Sequence, residues 1–245
     1  MSLMRSMWYY FERDLIKWIR WKVTVFAHLV TPAAWLIFVG LTLPVTFTDN
    51  YLEYLTPGIM VMSVLFASLQ SGNLVIFDKM LGFLNKFFAM PVPRESYLLG
   101  KILFIAFRGL VQATVIFSVA VMLGITVYSI KNILLTYIVL FLFGALFASI
   151  ATTIALAVDD HDGYAAINGM ISMPLFFTST AMMPYEKMPG WLRTAASINP
   201  VSHAIDSVRV LLSGGSVAVS EILMLGAGAV IVLAICTSVF RRATL

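Results

Sequence analysis

The sequence predicts an all-α membrane protein with six transmembrane helices, on the strength of its composition, the spacing of its apolar runs and the placement of its basic residues. Apolar residues fill 60% of the 245 positions and charged residues 11%, with a mean hydropathy of +0.94. Soluble domains carry roughly 45–50% apolar and about 25% charged residues. Crossing about 30 Å of hydrocarbon takes roughly 20 helical residues, so the chain has room for about six or seven spans with their loops. Residues 1–245 are therefore expected to form a single transmembrane bundle with no separate soluble domain. The net charge of +4 could suggest nucleic acid. The basic residues, however, are scattered between apolar runs and form no basic domain, so no nucleic-acid partner is expected.

Residues 1–22 come first. Leu3, Met7, Phe11, Leu15 and Trp18 recur at helical spacing, Arg13, Lys17 and Arg20 share another face, and Trp8, Tyr9, Trp18 and Trp21 add aromatic rings. That pattern predicts an amphipathic helix lying in the lipid headgroup plane. Two readings of it stand, a positive-inside anchor for the first span and a collar that packs against a cytoplasmic partner. Charged residues precede any long apolar run, which does not fit a cleavable signal peptide. Five spans are then read within residues 23–183, at 23–45, 55–77, 97–121, 133–158 and 164–183. Residues 184–220 are too apolar for plain loop and are read as short outer helices. Residues 221–245 hold the sixth span, at 222–240, and a basic tail.

Orientation follows from Lys and Arg, which are enriched on cytoplasmic flanks. With the N-terminus inside, Arg5, Arg13, Lys17, Arg20, Lys22, Lys79, Lys86, Arg94, Lys101, Arg241 and Arg242 fall on the cytoplasmic side, and Lys131, Lys187, Arg193 and Arg209 outside. This asymmetry places both termini in the cytoplasm of a multi-pass protein of the cell membrane. It also demands an even number of spans. Arg108 is left inside the third span, where a central charge costs about 2.5–3.5 kcal/mol on insertion scales. Snorkelling to the interface and a buried ion pair are both open for it.

The loop after the second span carries Leu81, Leu84, Phe87 and Phe88 at amphipathic spacing and is stopped by Pro91 and Pro93. Adjacent phenylalanines on an exposed helix need a host. The lipid interface and a groove on a partner protein are both candidates.

Residues 78–101 resemble the cytoplasmic coupling segment of the type-2 (ABC-2) family of ABC-transporter permeases. Members of that family often read Asp-Arg-Glu, one residue, Gly-Thr-Leu-Glu, then Pro, Arg and Gly-Lys. This chain matches at Asp78, Gly82, Leu84, Pro91, Arg94, Gly100 and Lys101, conservatively at Lys79, and departs at Met80, Phe83 and Asn85. The resemblance implies a coupling helix that docks an ATPase subunit through Asp78, Lys79, Gly82, Leu84, Phe87, Phe88, Pro91 and Arg94. A second stretch, 184–192 with 198–209, is similar to the family's connection between its last two spans. Independently of that likeness, Asn199 can cap a helix whose first position is Pro200, and Gly214-Gly215 can end it. Val201, Ile205, Val208 and Leu212 would form its apolar stripe. The resemblance implies paired re-entrant helices forming an outer cap that includes Pro189, Trp191, Asn199, Pro200, Asp206 and Arg209.

The resemblance implies the membrane subunit of an ATP-driven exporter for an amphipathic small molecule, drug, lipid or lipid-linked glycan. ATP and Mg would be held by two separate ATP-binding cassette subunits, and a second permease copy would complete the pathway within the lipid. A self-sufficient carrier and a non-transporting scaffold are the competing classes. A carrier would show internal repeats or spans broken near mid-membrane, and Pro174 is the one marked break read here.

Catalytic readings fail on spacing. Gly100-Lys101 is followed by Ile102 where a phosphate-binding loop needs Ser or Thr, and Glu95 stands in place of its first glycine. The run Asp159-Asp160-His161-Asp162-Gly163 lacks the first and twelfth ligands of a calcium loop and is expected to be a tight acidic turn, so no metal site is expected. His28 and Cys236 are read as packed within the bundle. Gln70, Asn73, Gln112 and Asn168 are the candidate substrate path, against ordinary helix-to-helix hydrogen bonding. Ala145, Ala148, Ser149, Thr152, Thr153 and Ala155 form a small-residue face for close packing within one subunit or between two.

Overall fold

The structure is a computed structural model describing residues 2–42, 48, 50–126, 129–217 and 219–243. The described residues form eleven α-helices and no strand. In chain order these are α1 (Leu3–Arg20), α2 (Lys22–Thr42), α3 (Tyr51–Leu69), α4 (Ser71–Met80), α5 (Phe83–Phe88), α6 (Glu95–Met122), α7 (Ile130–Ala157), α8 (His161–Phe177), α9 (Gly190–Ile198), α10 (Pro200–Leu212) and α11 (Val219–Ala243). Among the described residues, five stretches are long and apolar enough to cross a membrane: α2, α3 with α4, α6, α7 and α11. The end of the predicted first span, 43–45, lies outside the described residues. The predicted fifth span, 164–183, is helical only as far as Phe177, because the chain turns at Thr178. Its 17-residue helix is about 26 Å long, just under a hydrocarbon core of about 30 Å.

The core runs along α3, which packs against α6, α7, α10 and α2. The apolar window of α3 and α4 is 78% buried, against 11% for α2 and 17% for α11. Those two helices therefore turn most of their apolar surface outward, as lipid-facing or partner-facing helices do. The small-residue face of α7 packs inside the chain: Ala148, Ser149, Thr152 and Ala155 are fully buried, and Ser71 of α4 donates to the Ala148 carbonyl at 3.2 Å. Cys236 is buried beside Ala148 and Phe240, as a small core residue.

One expectation about helix continuity is corrected. Pro174 lies inside α8 without ending it, while the stretch read as an unbroken second span is interrupted at Gln70, between α3 and α4. Side chains of distant helices take the carbonyls freed at the break. Arg108 donates to the Ala67 carbonyl at 3.0 Å, and Tyr164 donates to the Leu69 carbonyl at 2.5 Å. An inserted side chain is a recognised cause of such kinks, and non-helical backbone at membrane depth survives only where its polar groups find partners.

Candidate functional site

The end of the bundle that carries α1 and α5 is built on buried charge. Lys101 of α6 points from the middle of a helix face at the Asp78 carboxylate, 2.6 Å away, and lies 3.5 Å from Asp14 of α1. Arg13 closes the group, 2.6 Å from Asp14 and 3.1 Å from Asp78. The Tyr97 hydroxyl adds a hydrogen bond to Asp78 at 2.8 Å. The side chains of Lys101, Asp78 and Asp14 are at most 5% exposed, while Arg13 is about a third exposed, so two cations and two anions cancel with three of the four out of reach of water. Burial draws the Arg13 guanidinium down, but Asp14 and Asp78 beside it hold it above its ordinary value. Gly100 makes the arrangement possible: a Cβ there would stand 2.7 Å from the Met7 carbonyl and from Cβ of Tyr10, so only glycine lets α1 cross α6 this closely.

Helix α1 is therefore docked on the bundle as well as amphipathic. Its buried face is Ser6, Tyr10, Phe11 and Asp14, while Met7, Leu15 and Trp18 are half-buried flanks and Leu3 is exposed. Arg13, read as part of a polar outer face, turns inward to the carboxylates. Trp8, Tyr9, Ile16, Ile19 and Trp21 remain exposed on the other side, an aromatic and aliphatic surface suited to an interface.

Helix α5 finds its host in the same place. Leu84 is buried and Phe87 half-buried against Tyr10 and Tyr97, and Arg13 lies 4.9 Å from the Phe87 ring. The two hosts considered from sequence were lipid and a partner; for Leu84 and Phe87 the host is this chain's own α1 and α6. An amphipathic pattern fixes an apolar face but not what covers it. Of the residues expected to dock an ATPase, Asp78, Leu84 and Phe87 thus face inward. Lys79 pairs with Asp159 of the α7–α8 turn at 2.5 Å and donates to the Val158 carbonyl. Its hydrogen bond holds the Asp159 carboxyl below its ordinary value. Gly82, at a φ of +68°, turns the chain between α4 and α5, and Pro91 and Arg94 are exposed. Phe88 lies in α5, with its side chain outside the described residues. Met80 and Phe83, noted from sequence only as departures from the family pattern, and Met90, not noted there, are exposed on this segment.

The candidate path residues gather around the break in the second span. Gln70, Gln112 and Asn168 line one cleft of about 360 Å³ together with His28, Trp35, Phe66 and Phe176. A second cleft, of about 410 Å³, is lined by Asp14, Lys17, Trp18, Trp21, Phe104, Lys101 and Arg108, and shares His28 and Gln70 with the first. Asn73 lines neither cleft. Arg108 does not snorkel and has no ion pair among the described residues. It is 4% exposed and donates to Gln70 Oε1 at 3.0 Å as well as to Ala67.

At the opposite end α10 inserts among α3, α7 and the turn after α8. Asn199 accepts from the Val201 amide at 2.9 Å as the expected cap, and its side-chain amide donates to the Leu175 carbonyl and to Thr178. Val201, Ala204, Ile205, Val208 and Leu211 are fully buried, so the stripe ends on Leu211 rather than Leu212. Asp206 accepts from Thr180, Tyr185 and Arg209. Burial, then the Asp206 charge, push the Tyr185 phenol up to about 12. Arg209 lies 4.0 Å from the Tyr54 ring and donates to the Thr180 carbonyl. Pro200 opens α10, whereas Pro189 and Trp191 of the preceding segment are exposed.

Comparison with known proteins fits this architecture. The ABC-2 type transporter family matches residues 5–213. A protein named as a transport permease, ycf38, of Cyanophora paradoxa is 30% identical over 212 residues, which cover 84% of this chain and 73% of that protein. A protein named as a doxorubicin resistance ABC transporter permease, DrrC, of Mycobacterium tuberculosis is 29% identical over 245 residues, 95% of this chain and 87% of that one. The daunorubicin resistance ABC transporter permease protein DrrB1 of Streptomyces coeruleorubidus is 26% identical over 190 residues, 76% and 67% of the two chains. The family match runs from within α1 to just past α10 and takes in both ends of the bundle, and the chain belongs to the ABC-2 type transporter family as a transmembrane subunit of an ABC transporter.

Proposed function

We propose that this chain is the permease of an ATP-driven exporter, crossing the cell membrane six times with both termini in the cytoplasm. Two copies, or one with a related chain, form the pathway, and two ATP-binding cassette subunits carry ATP and Mg. The even span count draws on the charge asymmetry and takes α8, extended by the turn after it, as the fifth crossing. The observation that carries the reading is the two-sided build of α4 and α5. Asp78, Leu84 and Phe87 are clamped to α1 and α6, while Met80, Phe83, Met90 and Lys86 are presented outward. An exposed apolar patch with a basic rim is a docking surface. A push on it from ATPase closure is carried rigidly into α3–α4 and α6, which line the clefts, and changes their access state. The pathway residues are Gln70, Gln112 and Asn168. An amphipathic small molecule fits clefts walled by tryptophan and phenylalanine, and the names of the two drug-resistance relatives agree with that class.

Co-purification tests the docking. Phe83→Asp with Met90→Asp should reduce the ATPase subunit recovered with the permease by about tenfold or more, the scale of a buried apolar contact. Equal recovery with both forms sinks the claim. ATP-dependent uptake into inverted vesicles that survives collapse of ion gradients separates the exporter from a carrier.

A further inference from the structure

The cleft on the α1 side carries a charge that the fold does not balance. Its lining holds three full cations, Lys17, Lys101 and Arg108, and one carboxylate, Asp14. Lys101 and Asp14 belong to the neutral cluster with Arg13 and Asp78. Lys17 at the exposed rim and Arg108 in depth are left without an acidic partner in the cleft. Arg108 uses one guanidinium nitrogen for Ala67 and Gln70, and its Nε is buried with no hydrogen-bond partner among the described residues. His28 Nδ1, at the junction of the two clefts, is buried and unpartnered in the same way. A desolvated cation with spare donors is unfavourable unless an anion joins it, and ionisable groups at membrane depth mark ligand paths. The surrounding wall, Trp18, Trp21, Phe77 and Phe104, is apolar.

We propose that Arg108, with His28, binds the anionic headgroup of an amphiphile, a phosphate or carboxylate, whose apolar tail lies against the tryptophan wall. The inference rests on the exporter reading for its meaning as a substrate site, though not for its geometry. Lys17 draws the headgroup in from the interface, Arg108 takes it over with charge-assisted hydrogen bonds, and Gln112 and Asn168 in the adjoining cleft offer uncharged contacts beyond.

The test uses the full chain in phosphatidylcholine nanodiscs, with 9,10-dibromostearic acid and 9,10-dibromostearyl alcohol as probes that quench nearby tryptophan. Quenching in a Trp18→Phe/Trp21→Phe variant supplies the baseline. With the acid ionised, its half-quenching concentration should lie about tenfold or more below that of the alcohol, as one charge-assisted contact gives. Arg108→Gln should abolish the difference, the acid then binding no better than the alcohol, and Arg108→Lys should keep most of it. Equal binding of the two probes by the wild type overturns the proposal, and that comparison needs no variant to fold. Arg108→Gln retaining the preference overturns it too. Inorganic phosphate erasing the preference at concentrations no higher than those of the acid would make this a free-anion site and overturn the amphiphile assignment. Loss of the preference in phosphatidylglycerol nanodiscs would assign the site to bilayer lipid, and its persistence to a separate amphiphile; both support an anionic-headgroup site. No ATPase is present in the assay. Acid preference without ATP-driven transport keeps the site and removes the exporter reading, and transport without preference does the reverse.

Discussion

The two ends of the bundle are held by different chemistry. At the α1 end, helices from separate parts of the chain meet on four charged groups, of which Lys101, Asp78 and Asp14 are buried and Arg13 forms the partly exposed edge, and each charge depends on the others for compensation. At the α10 end the fastenings are Asn199, which is buried, and Asp206 and Arg209, which are partly exposed, and they are directed largely at carbonyls and hydroxyls of the turn after α8. Losing Lys101 or Asp78 strands a buried charge; losing Asp206 or Arg209 removes contacts that water can partly replace, and losing Asn199 removes uncharged hydrogen bonds. The first end is thus a rigid joint between α1, α4 and α6, and the second a set of separable ties. A segment that has to transmit force benefits from the former.

The largest effect expected from breaking this contrast comes from Lys101→Met. Removing one partner of a buried pair costs about 3–5 kcal/mol, because the remaining charges stay desolvated. Thermal unfolding of the purified chain should show it as a large fall in Tm. Asp78→Asn combined with Lys101→Met leaves Arg13 and Asp14 as a neutral pair, so the double variant should be more stable than Lys101→Met alone. If Lys101→Met unfolds at the wild-type temperature, the joint is not held by charge.

A pair of glycine substitutions compares the ends by sterics alone. Gly100→Ala would place a methyl 2.7 Å from the Met7 carbonyl, and Gly58→Ala would place one 2.8 Å from the Ala181 carbonyl. Overpacking of this kind costs about 1–3 kcal/mol. The loss should differ in location more than in size. Gly100→Ala should make α1 sensitive to limited proteolysis, whereas Gly58→Ala should leave α1 protected. Equal protection of α1 in both would show that it is held by something other than close contact with α6.

Asn199→Ala is expected to be milder, about 1–2 kcal/mol, combining a lost helix cap with two lost donor bonds. Hydrogen exchange should rise in α10 and the turn after α8 and stay unchanged in α1. Spread of the effect to α1 would mean that the ends are coupled more tightly than their contacts indicate.

How much of this was legible beforehand follows the same division. Apolar run length and the Lys and Arg distribution are one-dimensional properties, so the helical membrane class and the helix positions could be read directly. Asn199 and Pro200 could be read as a cap and first turn because capping is local. The joint at the α1 end was hidden, since Asp14, Asp78 and Lys101 are 64 and 23 residues apart along the chain and nothing local pairs them. Asp14, one of two acids in α1 beside Glu12, was a local signal, but it did not say which residues it pairs with. The break at Gln70 was also missed. The cluster Gln70, Ser71 and Asn73 marked a place where backbone needed outside partners, but those partners, Arg108 and Tyr164, come from other helices.

The smallest predicted effect separates charge from burial at one end of the molecule. Lys79 and Asp159 sit 2.5 Å apart beside the joint, yet Asp159 is 88% exposed. Exposed pairs contribute little, so Asp159→Asn should lower Tm by on the order of 1 °C at neutral pH. The Lys79 hydrogen bond lowers the folded Asp159 pKa below its ordinary 3.8, so the contribution is present above that value and fades as pH falls through the lower folded one. Wild type and Asp159→Asn should therefore converge in acid. The Lys101→Met deficit should be far larger at neutral pH and should begin to shrink at a higher pH, since a carboxylate stranded away from water takes up a proton more readily than an exposed one. Were Asp159→Asn to cost as much as Lys101→Met, burial would not be what distinguishes the joint.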